Sequence, residues 1–191
     1  MHIENHEDRV FTETLSPSPI QLHDPLKAYR KVYWFLIPIG AIGLAVTGGL
    51  AGLLIGSVIG WAAAYLFMQF ISAIKLFRLN WQDYPLPFSV TTEELYKQLS
   101  SMNLHPDFTI ENRSSEIRII FKNTTTHRVK IDQDKLTYNI FSRLNTKNLI
   151  KRRHNPAVRE YTHAMTAVPI IRQLIDNASA ELASNALHDG S

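Results

Sequence analysis

Residues 48–60 read GGLAGLLIGSVIG. Glycine recurs at every fourth position, at Gly48, Gly52, Gly56 and Gly60. A glycine inside a helix costs roughly 1 kcal/mol relative to alanine. The stretch nevertheless lies in the most apolar part of the chain, residues 33–77, where Lys75 is the only charged residue. Such a repeat needs a physical reason other than helix propensity.

The length of the apolar segment indicates two helices. One membrane-spanning helix needs about 20 apolar residues for a hydrocarbon core of ~30 Å, and a single straight helix over 33–77 would measure about 67 Å. We therefore expect residues 25–79 to form a transmembrane helical hairpin. The alternative is a buried helical pair in a soluble core, which would show polar residues on its outer face. Between Phe35 and Leu66 only Thr47 and Ser57 are polar.

Two positions compete for the turn of this hairpin. Residues 47–49 contain a Gly-Gly pair, which is typical of turns, and we favour them. Residues 55–57 would make the two apolar halves more equal and place Trp61 near a membrane interface. Asp24 and Pro25 are typical of a helix start, and Pro38 predicts a kink.

The glycines offer a surface for close contact between the two helices. In lipid, helices associate through close backbone approach, which small residues permit. We expect the following glycines to pack the helices: Gly40, Gly43, Gly48, Gly52, Gly56 and Gly60. The pattern resembles a glycine zipper of the two-span membrane type, a resemblance of architecture limited to this segment. Two interpretations stay open: the stripe only packs one hairpin, or it also builds an oligomer or pore.

Basic residues flank the apolar segment on both sides and are missing from its middle. They are Lys27, Arg30 and Lys31 before it, and Lys75 and Arg78 at its end. Because positive residues stay on the cytoplasmic side, we expect both termini in the cytoplasm, in an integral protein of a bacterial inner membrane. The apolar run is much longer than the apolar core of a secretory signal.

The remainder of the chain is polar and predicts a small α+β domain over residues 88–185. Thr91 and Glu94 form a capping box at the start of a helix, alternating apolar residues between 108 and 140 predict an antiparallel β-meander, and apolar residues every three or four positions after Pro156 predict a C-terminal helix, kinked at Pro169. The fold class is thus an α+β membrane protein. We expect a flexible tail over 1–24, a proline-containing linker over 80–87 and a frayed end over 186–191.

Catalytic motifs are not found in the sequence. There is no cysteine, which excludes disulfides and Cys-ligated metal, and there is no phosphate-binding glycine loop or nucleophile elbow. Arg159 and His163 have a spacing one residue short of that in HEPN-type ribonucleases, and Asp132 and Asp134 fit a turn better than a cation site. We expect no catalytic residue, no metal and no cofactor.

One charged feature stands out in the polar domain. A basic patch is formed by Arg143, Lys147, Lys151, Arg152, Arg153 and Arg159. Three interpretations stay open: a solvated face, contact with anionic lipid headgroups, or binding of nucleic acid or an acidic protein. Because aromatic residues do not alternate with the basic ones, single-strand stacking is disfavoured, and nucleic acid is the less expected partner.

These features predict a non-enzymatic, membrane-anchored adaptor or assembly subunit whose cytoplasmic domain binds a partner protein or a lipid surface. The partners expected are the lipid bilayer, anionic headgroups, and a protein partner or a second copy of the chain. The alternative function is a small oligomeric pore-forming or membrane-perturbing protein gated by its cytoplasmic domain. An enzyme at the membrane surface is a third hypothesis.

Overall fold

The structure, a computed structural model, describes residues 18–145 and 156–189. The architecture is α+β, with a long apolar N-terminal helix, a five-stranded antiparallel sheet and a C-terminal helix. The elements in chain order are a 3₁₀ turn Lys27–Arg30, α1 Lys31–Asn80, β1 Asp83–Pro85, α2 Thr92–Ser101, β2 Phe108–Arg113, β3 Glu116–Phe121, β4 Thr125–Asp132, β5 Thr137–Leu144 and α3 Pro156–Asp189.

The long helix α1 is interrupted at one residue. Gly49 has φ 55° and ψ −136°, a left-handed backbone that glycine adopts without steric cost. The break lies in the favoured stretch 47–49, and residues 55–57 are helical. α1 runs through Pro38, whereas Asp24 does not begin it. The Asp24 carboxylate accepts from the Leu26 N–H at 3.2 Å, and the chain enters α1 through the 3₁₀ turn.

The two parts of α1, here the first arm (31–48) and the second arm (50–80), contact each other through their backbones. A methyl group placed on Gly56 would lie 2.0 Å from the Gly40 carbonyl oxygen, and one on Gly52 would lie 2.0 Å from that of Leu44. On Gly60 it would lie 2.2 Å from the Leu36 carbonyl oxygen. Only residues without a side chain allow this approach, which explains glycine at these positions.

The buried residues of the second arm recur at every fourth position. They are Gly52, Gly56, Gly60, Ala64, Met68, Ser72, Leu76 and Asn80. Because a helix advances 3.6 residues per turn, each step of four turns the stripe by about 40° around the axis. The stripe therefore faces the first arm at its glycine end and the polar domain at its other end, where Met68 and Leu76 join the domain core.

The sheet has the strand order β1-β5-β4-β3-β2, and every neighbouring pair is antiparallel. This order confirms the predicted meander. The prediction succeeds because period-two alternation gives each strand one apolar face that can pack on the core. The inner face packs against α2 and α3 and carries Ile117, Ile119, Phe121, Val129, Tyr138 and Ile140, all buried. The outer face carries mostly polar and charged side chains, so any exposed site on the sheet lies there.

The capping box of α2 is confirmed: the Thr91 hydroxyl accepts from the Glu94 N–H at 3.2 Å, and the Glu94 carboxylate accepts from the Thr91 N–H at 2.8 Å. α3 continues through Pro169 to Asp189, beyond the expected end at residue 185.

The stretch 80–87, expected as a linker, contains strand β1. Tyr84 of β1 pairs with Tyr138 of β5 and is buried, as is Leu86. Pro85 lacks an N–H, yet the outermost strand of a sheet tolerates proline.

Residues 18–26 form a strap across the polar domain. The Ile20 N–H donates to the Asp107 carboxylate at 2.7 Å, and the His23 N–H donates to the Thr166 hydroxyl at 2.9 Å. Leu26 is fully buried in the same core as the sheet and α3. Residues 1–17 of the expected tail lie outside the described residues. The core of the polar domain is therefore completed by residues that precede it in the chain.

Candidate functional site

The arms of α1 carry a large exposed apolar surface. The helical stretch Lys27–Asn80 reaches a mean hydropathy of 2.1 over its most apolar 18-residue window, and only 11% of that window is buried within the protein. Trp34 and Val46 are each 82% exposed. Their large apolar neighbours are also exposed: Phe35, Ile39, Ile42, Leu50, Leu54, Ile55, Val58, Ile59 and Trp61. An apolar patch of this extent marks an interaction surface.

The structure brings together four of the six glycines expected in the helix contact. Gly40, Gly52, Gly56 and Gly60 lie in the seam between the two arms, whereas Gly43 and Gly48 have open space where a Cβ would be. The seam is therefore formed within one chain by a subset of the glycines.

An aromatic ridge extends the apolar surface toward the polar domain. It consists of Phe67, Phe70, Ile74, Phe77 and Trp81, all exposed. On an ideal helix the ridge lies about 160° from the buried stripe Met68–Asn80, and on the same side as Gly56. The first arm begins at Lys31, so it covers the Gly56 side of the second arm only up to the level of Lys31. From there toward Trp81, the same side of the second arm is exposed and carries the aromatic ridge.

The ridge ends at a groove on the outer face of the sheet, which we name the basic groove. It has a volume of about 410 Å³ and is lined by Asn80, Trp81, Asp83, Arg128, Lys130, Asn139 and Phe141. β4 alternation points Arg128 and Lys130 to the same face, and pairing with β5 places Phe141 beside Arg128 and Asn139 beside Lys130. The Arg128 guanidinium lies 4.7 Å from the Phe141 ring centroid, an attractive cation–π contact.

The charges at the groove are incompletely balanced. Glu116 accepts from Arg118 Nε at 2.8 Å, whereas its other oxygen lies 3.9 Å from Arg128 Nη1. Within the described parts of the chain, Lys130 has no ion pair. Asp83 is the acidic residue of the lining. The groove therefore keeps net positive charge beside aromatic side chains.

The basic patch predicted from sequence is described at two of its residues. Arg143 is exposed at the end of β5, and Arg159 lies half-buried on α3. Burial raises the pKa of neighbouring Glu160. Two contacts oppose that rise: the Leu144 N–H, which donates to the Glu160 carboxylate at 2.9 Å, and the charge of Arg143. Lys147, Lys151, Arg152 and Arg153 lie outside the described residues.

A buried polar cluster lies on the inner face of the sheet. His127 Nδ1 is 2.8 Å from the Ser142 hydroxyl, and His163 Nδ1 is 3.0 Å from the Thr124 hydroxyl. A serine hydrogen-bonded to a histidine can act as a nucleophile with its general base. Ser142 and His127 are both buried, so no substrate can reach them. Burial, together with nearby His163, lowers the pKa of His127 to about 3. His127 is therefore a neutral part of the core.

Asp132, one of the two aspartates considered as a cation site, is paired with a lysine. Lys135 Nζ donates to the Asp132 carboxylate at 2.8 Å and keeps its pKa low, and this pair closes the turn between β4 and β5. Among the described residues no group of three or more His, Cys, Asp or Glu side chains is arranged to hold a metal ion.

The basic groove and the aromatic ridge were missed by sequence reasoning. The alternation of Arg128 and Lys130 on β4 was a visible signal, but their nearness to Trp81 depends on how α1 docks on the sheet. Comparison of the chain with protein-family models, with curated proteins and with solved structures finds no match in any of the three.

Proposed function

We propose that α1 is a two-helix hairpin that spans a membrane twice and anchors the polar domain at the cytoplasmic surface. The observation that carries this proposal is the exposed apolar surface of the arms, only 11% buried in its most apolar window. A core helix of a soluble protein would be mostly buried. Exposure of such an apolar surface to water costs free energy, whereas contact with lipid does not.

The dimensions and charges of the arms support this proposal. The first arm measures about 27 Å, close to the ~30 Å of a hydrocarbon core. Lys27, Arg30 and Lys31 at its start and Lys75 on the second arm lie at the same end, since Lys75 Nζ is 4.3 Å from the ring centroid of Tyr29. By the positive-inside rule this end faces the cytoplasm.

The domain then acts as a non-enzymatic adaptor or assembly subunit that binds a partner protein or a lipid surface. Its outer sheet face is open to such a partner: Lys130 and Arg143 are exposed, and Arg128 and Phe141 are half-exposed. The one serine–histidine pair noted above is buried and offers no access to a substrate.

A pore is less well supported than an adaptor. The seam glycines are engaged within one chain, and the hydroxyls of Thr47 and Ser57 bond to their own helix at Leu44 and Leu53. These are the only polar residues between Phe35 and Leu66, so the arms offer few groups that could line a path for water or ions.

The test of the anchor is the topology and extraction behaviour of the full chain. We expect cytoplasmic reporter activity at both ends, and retention of the protein in the membrane fraction after carbonate washing. Reporter activity on the opposite side at either end, or release by carbonate, would contradict the hairpin. For the adaptor role, mild-detergent purification followed by mass spectrometry should recover a stoichiometric protein partner or selected lipids. Recovery of the chain with neither would contradict that role.

A further inference from the structure

We propose that the basic groove binds the phosphate of an anionic phospholipid in the leaflet where the second arm emerges. This inference rests on the proposed membrane anchor and adds the lipid class and its binding residues. The groove is lined by Trp81, Arg128, Lys130 and Phe141 and measures about 410 Å³, within the range of small-ligand sites.

The groove lies on the cytoplasmic side of the hydrocarbon core. The first arm, which matches the core in length, measures about 27 Å, and the second arm, residues 50–80, measures about 46 Å, so the second arm continues about 19 Å past the level of Lys31. Trp81 and the groove therefore lie beyond the basic residues at the start of the first arm, on the headgroup side of the membrane. Tryptophan favours the membrane interface because its ring is amphipathic.

The chemistry of the groove suits a phosphate diester. Lys130 is exposed and has no ion pair among the described residues, and Arg128 shares Glu116 with the better-placed Arg118. Arg78, exposed near the ridge, adds positive charge. Asp83 is the opposing charge on the lining. Guanidinium and ammonium donors recognise phosphate oxygens through charge-assisted hydrogen bonds.

The aromatic ridge suits the acyl chains of the same lipid. Phe70, Ile74 and Phe77 form an exposed apolar path between the arms and the groove. A lipid with its phosphate in the groove therefore lays the upper part of its acyl chains along the ridge, which leads from the groove to the hydrocarbon core. This continuity favours a lipid over an acidic peptide, which would leave the ridge uncovered.

The experiment uses the full chain in nanodiscs of phosphatidylcholine with or without phosphatidylglycerol. With Trp34 and Trp61 replaced by Phe, the emission reports Trp81 alone. We expect phosphatidylglycerol brominated in the upper acyl chain to quench Trp81 more strongly than brominated phosphatidylcholine at equal mole fraction. Lys130→Gln and Arg128→Gln should each lower this preference about fivefold, the equivalent of ~1 kcal/mol per basic residue near an anionic surface.

Controls separate the groove from the anchor. Arg113→Gln alters the same sheet face on β2, where Arg113 is 3.7 Å from Glu111, and should leave the preference unchanged. Since Lys130 is exposed, its replacement tests the groove even if Arg128→Gln unfolds the protein. A variant that keeps only Trp34 reports the arms. Quenching of Trp34 without lipid preference at Trp81 overturns the groove and leaves the anchor standing. Failure of the chain to enter nanodiscs overturns both.

Discussion

The side-chain amide of Asn80 pairs with the main chain of Ser142 as a neighbouring strand would. Asn80 Nδ2 donates to the Ser142 carbonyl oxygen at 3.1 Å, and Asn80 Oδ1 accepts from the Ser142 N–H at 2.9 Å. Asn80 is the last residue of α1 and Ser142 lies on β5, so this buried pair joins the apolar helix to the sheet.

Replacing Asn80 with Ala should destabilise the protein by about 2–4 kcal/mol, because two buried backbone groups lose their partners. Thermal unfolding of the full chain in mild detergent, followed by circular dichroism, measures this. Asn112→Ala, at an exposed position of β2, is the matched control and should have little effect. Equal melting temperatures for the two variants would contradict the assigned coupling.

Alanine substitutions should divide the glycines into two classes. Gly56→Ala places a methyl 2.0 Å from a backbone oxygen and should separate the arms, at a cost of about 1–3 kcal/mol. Gly43→Ala has open space and should be neutral or stabilising, since alanine favours helix by ~1 kcal/mol. Cysteines at Ala41 and Leu53, joined by a short bismaleimide, report the spacing. Cross-linking that is equally efficient in both variants would show that the seam tolerates a side chain.

Leu26→Ala should destabilise the polar domain by about 2–5 kcal/mol although Leu26 precedes α1, because its side chain is fully buried in the domain core. Leu22→Ala, at a position 44% exposed, is the control and should change stability by about 0.5 kcal/mol or less. For the same reason a fragment of residues 88–191 should lack a cooperative melt. A stable, cooperative fragment would show that the domain does not need the strap, α1 or β1.

Acidification should destabilise the protein through His127. Its pKa falls from the ordinary value near 6.5 to about 3 on folding. Both states are neutral above pH 6.5, so stability is complete there. Below it the unfolded state binds the proton, and stability falls by up to about 1.4 kcal/mol per pH unit until about pH 3.

His127→Gln should flatten this slope between pH 4.5 and 6.5, measured by thermal unfolding, whereas His23→Gln, at an exposed position, should not. Burial raises the pKa of Glu160, so acidification stabilises the folded state through this group, opposite to the effect of His127. The contribution of His127 is therefore read as the difference in slope between the unmodified protein and His127→Gln. An unchanged slope in His127→Gln would assign the acid sensitivity to other groups.

Local patterns in the sequence were sufficient for several elements. The capping box at Thr91 and Glu94 needs only two residues one turn apart, and the alternation in β3, β4 and β5 is set by each strand's own apolar face. The break at Gly49 follows from a Gly-Gly pair. Each of these depends on neighbours in the chain, which is why periodicity predicts them.

Contacts between distant segments could not be read from the same patterns. β1 is three residues long and ends at Pro85, so it carries no strand signal of its own. The pairing of Asn80 with Ser142 depends on how α1 approaches the sheet. The basic groove needs that approach as well, because Trp81 meets Arg128 only once α1 is docked.

The second arm of α1 has no proline and passes from the seam glycines to Asn80 as one helix, which makes it a lever about 46 Å long. Each degree of tilt moves its end by about 0.8 Å, and helices tilt when bilayer thickness changes. Because Asn80 bonds directly to Ser142, the sheet must follow. In the proposed membrane anchor, bilayer thickness would thereby be converted into a position of the domain. A spin label at Lys130 should change depth between thin and thick bilayers, and a constant depth would show that the helix swivels at Asn80.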